Sequence, residues 1–231
     1  MSNFYLGVIP ARGGSKRVVR KNIRQVGDKP LIGHTITSAQ KSKRLHSFVV
    51  SSEDNEILEI AGTFTSEKNI IRRPSNLAGD DVRNTECLLP ALETFSQNSK
   101  YEVTHLVLLQ PTSPFRSAAD IDESISILEK TACSTLASVS PAIRKRDNVL
   151  KRKIDDLHCC DLIQSDTPFE FMKYNAAIYI VSVEYLKSSK LFKSDFQAYY
   201  EMSELNSLDV DTEQDLLVAN CLMNSFASKT L

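Results

Sequence analysis

Five cations fall within ten residues in the stretch Ile9-Pro-Ala-Arg-Gly-Gly-Ser-Lys-Arg-Val-Val-Arg-Lys-Asn22. Arg12 offers a planar fork for two phosphate oxygens, while Lys16 and Lys21 offer mobile point charges. Gly13 and Gly14 carry no side chain, so the backbone can close on a ligand. The stretch lies between a strand-like run and a helix-like run, a placement that points backbone N–H groups at an anion. A polyanion such as a triphosphate suits it; a solvated basic loop suits it equally when it is taken alone. It lacks both G-x-G-x-x-G and G-x-x-x-x-G-K-[ST], which removes the main support for NAD-linked and kinase-like readings.

The second constellation is Leu208-Asp-Val-Asp-Thr212. On an extended strand, residues i and i+2 point the same way, roughly 6.5 to 7 Å apart. Asp209 and Asp211 would then share one side, with Val210 turned inward. Two carboxylates completed by phosphate oxygens suffice for Mg2+. In the third, Leu108-Leu-Gln-Pro-Thr-Ser-Pro-Phe-Arg116, two prolines stiffen a loop that can offer Gln110, Thr112, Ser113 and Arg116 to a polar substrate. The fourth is the polar loop Arg72-Arg-Pro-Ser-Asn-Leu-Ala-Gly-Asp-Asp81.

Strand-like runs at 5–9, 47–51, 69–72, 105–110, 135–139, 176–181 and 207–210 must position these residues. They alternate with helical patterns at 31–41, 55–65, 84–96, 118–130, 183–188 and 213–225. Short apolar strands separated by helices predict a mostly parallel sheet covered on both faces, with the ligand beyond the strands' carboxyl ends. Ser51-Ser-Glu-Asp54, Ser117 and Thr212 read as helix starts, so Asp54, Asp120 and Asp122 are given structural roles. Between 140 and 174 the alternation weakens, and this excursion is expected to lie over the site, pack on a partner chain, or both.

At 231 residues, with 42% hydrophobic and 25% charged residues, the chain is expected to form one domain spanning 1–231. A net charge of -1, and no aromatic residues interleaved with the basic run Arg144–Lys153, argue against a nucleic-acid partner. No apolar run reaches the roughly 18 residues of a membrane helix. Five cysteines without a C-x-x-C pair suggest a reduced, cytoplasmic protein. His158-Cys-Cys-Asp161 matches no standard metal-ligand spacing.

The loop Ile-Pro-Ala-Arg-Gly-Gly-Ser-Lys-Arg with Lys21-Asn22 resembles the signature of the acylneuraminate (CMP-sialic acid, nonulosonic acid) cytidylyltransferases. The likeness continues in order through Arg73-Pro-x-x-Leu-Ala-x-Asp80, Leu109-Gln-Pro-Thr-Ser-Pro-Phe-Arg116, Asn175-Ala-Ala-Ile-Tyr-Ile180 and Leu208-Asp-Val-Asp-Thr212. The resemblance implies a Rossmann-like nucleotidyltransferase fold, a homodimer with 140–174 as its dimerisation segment, and Mg2+. It implies CTP and a nine-carbon 2-keto sugar acid as substrates, with CMP-sugar and pyrophosphate as products. By matching positions, Arg12, Gly13, Ser15, Lys16, Lys21 and Asn22 would hold the nucleotide, and Arg73 and Asp80 would border its base. Gln110 and Tyr179 would meet the sugar acid. Asp209 and Asp211 would hold the metal, with Asp211 as the base beside Arg12 and Lys21.

The chain departs from the family pattern at the Asn-Gly-Ala block, here Asn175-Ala-Ala177, and after Asp80, where Asp81-Val-Arg83 follow. Where sialic acid enzymes carry arginines before that block, this chain has Gln164-Ser165 and Met172-Lys173. Lys173 then becomes the cation for the sugar carboxylate, and the sugar a relative such as legionaminic or pseudaminic acid. The rival readings are a CMP-Kdo synthetase-like enzyme and a non-catalytic binding dimer.

Overall fold

The run Tyr5-Leu-Gly-Val-Ile9 has no charged side chain, and it forms the central strand β1 (Tyr5–Pro10). The computed structural model describes residues 3–79, 82, 84–141, 150–153, 158–161 and 171–227. A small hairpin, β2 (Gln25–Val26) and β3 (Lys29–Pro30), follows the basic loop and leads into α1 (Leu31–Lys41). Then come β4 (Ser47–Ser52), α2 (Asn55–Gly62), β5 (Ile70–Arg72), α3 (Asn84–Gln97), β6 (His105–Leu109), α4 (Ala118–Glu129) and β7 (Thr135–Pro141). The chain continues through β8 (Leu150–Lys153), β9 (His158–Asp161), β10 (Phe171–Ser182), α5 (Val183–Ser189), β11 (Gln197–Glu201) and α6 (Glu213–Ala227).

The main sheet has the order β5-β4-β1-β6-β10-β7-β11-β9-β8. β5, β4, β1 and β6 are mutually parallel, and β7 and β11 are parallel to each other. β10 runs antiparallel between β6 and β7. Successive residues of a strand face opposite sides, and β1 uses both. Tyr5 and Ile9 pack with α1, α2 and α4 through Ile36, Ile57 and Ile125. Leu6 and Val8 pack with α3 and α5 through Leu88, Leu92 and Leu186. Helices therefore cover both faces, as the pattern of short apolar strands predicts.

Three differences from the sequence reading concern the site. Residues 207–210 form no strand: Ser207 closes a turn, and 208–210 run on without regular structure outside the sheet. Their place is fixed by one backbone bond, Val210 N–H to Thr112 O at 2.8 Å, and by the turn Ser207 N–H to Ser203 O. Strand β11 takes the position beside β7 instead, between it and β9. The helix α2 stops at Gly62 rather than 65, where Thr63 and Phe64 tighten onto the carbonyls of Ile60 and Ala61. Of the excursion 140–174, the described pieces are the ends of β7 and β10 and the strands β8 and β9, which pair antiparallel. Its residues 142–149, 154–157 and 162–170, including Gln164 and Ser165, lie outside the described residues.

A third, smaller cluster fastens the two chemical constellations together. Val18 of the basic loop, Val26, Leu31, Val210, Leu216 and Ala219 form one buried group. Val210 is fully buried there, so the carboxylates on either side of it are held against the basic loop. Burying a valine contributes about 1.5–3 kcal/mol, enough to fix a short segment that no strand neighbour holds.

Candidate active site

The basic loop leaves β1 with Ala11 N–H still bonded to Ser51 O, and it returns at Arg20, whose φ of 58° is left-handed. Both ends hang from the acidic residues after β4. Asp54, which also caps α2, grips Arg20, and Glu53 accepts the Gly13 N–H at 2.7 Å. A Cβ on Gly13 would sit 2.3 Å from Asp54 Oδ2, so only glycine fits there. Asn22 is buried and donates from Nδ2 to Arg12 O at 2.9 Å, which ties the loop across its base.

The loop opens on a cleft of about 490 Å3 lined by Arg12, Ser15, Lys16, Lys21, Asn22 and Arg73 on one side. Gln110, Thr112 and Asp211 line the other. Lys21 Nζ lies 2.9 Å from Asp211 Oδ1, and Arg17 Nη2 lies 3.0 Å from Oδ2. Burial pushes the Asp211 carboxyl up, but Lys21 and Arg17 outweigh it and hold the group below its usual range. A second cavity of about 500 Å3 adjoins it, lined by Ser140, Lys173, Tyr174, Ala176, Glu204 and Asp209, among others. Burial, with Asp211 and Asp215 adding to it, pushes Asp209 up to about 6, while Thr112 and Lys21 pull the other way.

Among the described residues Ser140 Oγ is buried and makes no hydrogen bond, and Asp209 Oδ1 and Thr112 Oγ1 have none beyond the weak contact between their own side chains. Buried polar atoms left this way are costly unless a ligand completes them. Asp209 and Asp211 fit a divalent cation that takes its remaining ligands from phosphate and water oxygens. Among the described residues no group of three or more His, Cys, Asp or Glu gathers to hold a metal, so such an ion would depend on the bound nucleotide.

The fold thus brings Arg12, Ser15, Lys16, Lys21, Asn22, Arg73, Gln110 and Asp211 to one cleft, with Asp209 and Lys173 at the next. Gln110 lines the cation-rich cleft rather than the cavity that holds Lys173. The Gly13 amide is taken by Glu53, so it is a fixed point of the loop. Tyr179 lines neither cavity: its ring lies 6.2 Å from that of Phe192 and 6.2 Å from that of Tyr174, and burial pushes its hydroxyl well above the usual range. Asp80 lies outside the described residues.

Arg116 does not face the substrate side. It is 1% exposed and donates to Gln110 O at 2.9 Å, Ala177 O at 2.8 Å and Thr35 Oγ1 at 2.7 Å. Burial pulls its guanidinium down to about 9, against the pull of Asp120. It is an internal clamp between the loop after β6 and strand β10. Asp120 and Asp122 are structural, as expected: the first completes the α4 capping box with Ser117, and the second accepts from the backbone of Lys43 and Arg44.

Asn175, which the sequence presents only as part of a motif, pegs a bulge in β10. Its Oδ1 accepts from Ser138 Oγ and Ala177 N–H, and its Nδ2 donates to Ser207 Oγ at 2.8 Å. A larger hollow of about 1130 Å3 lies at the amino ends of β1, β4, β5 and β6, beside Phe4, His46 and Tyr101. None of the sequence-predicted site residues lines it.

The cytidylyltransferase family model matches residues 6–185. The CMP-N,N'-diacetyllegionaminic acid synthase of Legionella pneumophila is 31% identical over 229 residues, covering 94% of this chain and 95% of that protein. An N-acylneuraminate cytidylyltransferase of Escherichia coli O18:K1:H7 is 29% identical over 227 residues, covering 93% of this chain. This chain spans about half of that relative, 51% of its length. A solved CMP:2-keto-3-deoxy-manno-octonic acid synthetase in complex with CTP shares the fold, with a TM-score of 0.78 at 18% identity over 96% of this chain and 99% of that one. Among the described residues, no helix is long and apolar enough to cross a membrane.

Proposed function

This chain belongs to the cytidylyltransferase family, and from that premise we propose that it couples CTP to a nonulosonic acid, releasing CMP-sugar and pyrophosphate. The observation that carries this reading is the division of one short segment between two cavities. Asp211 lines the cation-rich cleft, Asp209 lines the next cavity beside Lys173, and buried Val210 fixes both.

The triphosphate lies along Arg12, Lys16 and Lys21, and the base lies toward Arg73. The sugar acid enters the second cavity with its carboxylate at Lys173. Its anomeric hydroxyl oxygen forms the new bond to the α-phosphorus while the bond to the α–β bridging oxygen breaks. Pyrophosphate departs with that electron pair, and the hydroxyl proton passes to the Asp209–Asp211 carboxylates, with Asp211 the acceptor on the cleft side. Arg12, Lys16 and Lys21 stabilise the charge that grows on the phosphoryl oxygens, and holding both substrates in line supplies much of the remaining acceleration. Asp209 and Asp211 would hold Mg2+, which when bound neutralises phosphate charge.

A lysine rather than an arginine fork at the sugar side supports a relative of sialic acid, such as legionaminic or pseudaminic acid, as substrate. A homodimer built on 140–174 belongs to the same proposal, and sedimentation at micromolar concentration tests it. The reaction is tested by pyrophosphate release from CTP with N-acetylneuraminic, legionaminic, pseudaminic and 2-keto-3-deoxy-octonic acids, each with and without Mg2+. Release with a nine-carbon acid that collapses on chelation is the expected result. No release with any sugar overturns the enzymatic reading in favour of a binding dimer.

A further inference from the structure

Glu53 follows β4 directly, and its side chain is only 13% exposed. One carboxylate oxygen, Oε1, accepts the Gly13 N–H at 2.7 Å. The other, Oε2, accepts from Arg73 twice, from Nε at 2.9 Å and from Nη2 at 2.7 Å. A side-on guanidinium pair would have used both oxygens. Here Arg73 spends two donors on one oxygen, which leaves the other for the phosphate loop. Nη1 of Arg73 remains turned to Cys87 Sγ at 3.3 Å, on the wall of the same cleft.

We infer that Glu53 is a positioning residue for nucleotide binding: it sets the spacing between two parts of the cleft wall, the Arg12–Lys16 loop and Arg73. The Arg73 side chain is 4% exposed, and a guanidinium so buried is tolerated only with a partner. That partner is the group that fixes Gly13, so a shift of either wall is felt by the other. Asp54 next to it does a different task, since it grips Arg20 and caps α2 without reaching Arg73. The inference rests on the proposed use of this cleft for CTP.

CTP affinity measured by calorimetry in the absence of any sugar acid tests Glu53 apart from the reaction. Glu53→Gln keeps the shape, removes the charge and presents an amide N–H to one of the two donors. It is expected to weaken CTP binding about tenfold or more, the scale of a lost charge-assisted bond. In turnover, the KM for CTP rises correspondingly, while kcat and the KM for the sugar acid stay within about threefold. In an Arg73→Gln background the same change costs clearly less than in the wild type, because the two residues act through one contact. Glu53→Asp keeps the charge and loses reach, and its smaller expected effect provides a second reading should Glu53→Gln fail to fold.

A folded Glu53→Gln protein with unchanged CTP affinity overturns the assignment. So does an equal rise in both KM values, or a cost that is undiminished in the Arg73→Gln background. Wild-type protein that binds CTP but releases no pyrophosphate with any sugar overturns the reaction, and the calorimetric result still decides the role of Glu53.

Discussion

The two cavities that meet at Asp209 and Asp211 are built on opposite plans. In the cation-rich cleft, Arg17, Lys21 and Arg73 each lie against a carboxylate, and the loop is tied at Gly13, Arg20 and Asn22. In the second cavity the lining cation among the described residues is Lys173, the wall is a bulged strand with Ala176 at φ 60°, and the buried Ser140 Oγ has no hydrogen-bond partner among the described residues. A wall fixed by many ties suits a moiety that never changes, such as a triphosphate. A wall that carries an unspent polar atom and a single kind of cation can be retuned to a variable one. Conserving the first and altering the second would change the sugar without rebuilding the chemistry.

The comparison is broken most severely where the two cavities join. Asp211→Ala removes the carboxylate that meets Lys21 and Arg17, one of the two candidate metal ligands. A fall in kcat of about 10^2–10^3 is expected, the scale for one preorganised electrostatic group. Steady-state pyrophosphate release checks it. A change confined to the KM for CTP would make Asp211 a countercharge and nothing more.

Arg116→Met attacks the joint from beneath. It leaves Gln110 O on the loop after β6 and Ala177 O on β10 without their shared donor. Removing one partner of such a buried polar network costs about 3–5 kcal/mol. Urea unfolding measures this, and a loss below about 1 kcal/mol would show that the two walls are held independently.

What was legible in the sequence follows the reach of the signals. The helix α1 and the run of cations after β1 depend on neighbours a few residues away and are found where the sequence puts them; the Asp209–Asp211 pair is not, since its segment joins no strand and its carboxylates divide between two cavities. Glu53 was absorbed into a helix start because Ser51-Ser-Glu-Asp54 reads as a cap; the cap is Asp54, and the partners of Glu53 lie 40 and 20 residues away in sequence. Arg116 looked like a ligand group in a polar loop, and only the return of β10 buries it. Tyr179 was assigned to the sugar by its matched motif position, and the structure packs it against Phe192. The β10 register against β7 shifts between Tyr174 and Tyr179, where five steps along β10 match two along β7, and an odd shift reverses which face every later side chain takes.

Lys173→Gln tests the sugar wall alone. It removes the charge and keeps the length, so the KM for the sugar acid should rise about tenfold, one charge-assisted contact. CTP affinity should stay within a factor of about two. Equal losses for both substrates would erase the division of labour between the cavities.

The smallest effect is the most diagnostic of how that wall is made. Ala176 holds a left-handed conformation at φ 60°, inside the bulge that Asn175 pegs, and it lines the second cavity. A side chain in that region costs about 1–2 kcal/mol, which glycine escapes. Against this, glycine loosens the unfolded chain by roughly 0.4–1 kcal/mol. Ala176→Gly should therefore leave stability unchanged or raise it by up to about 1 kcal/mol, where the same change in an ordinary strand lowers it. The missing methyl also widens the cavity, so acids with bulkier acyl groups should gain in kcat/KM relative to the natural substrate, with CTP affinity untouched. A lower Tm would mean that the bulge does not strain Ala176. An unaltered sugar preference would mean that its methyl sets no limit on what the cavity admits.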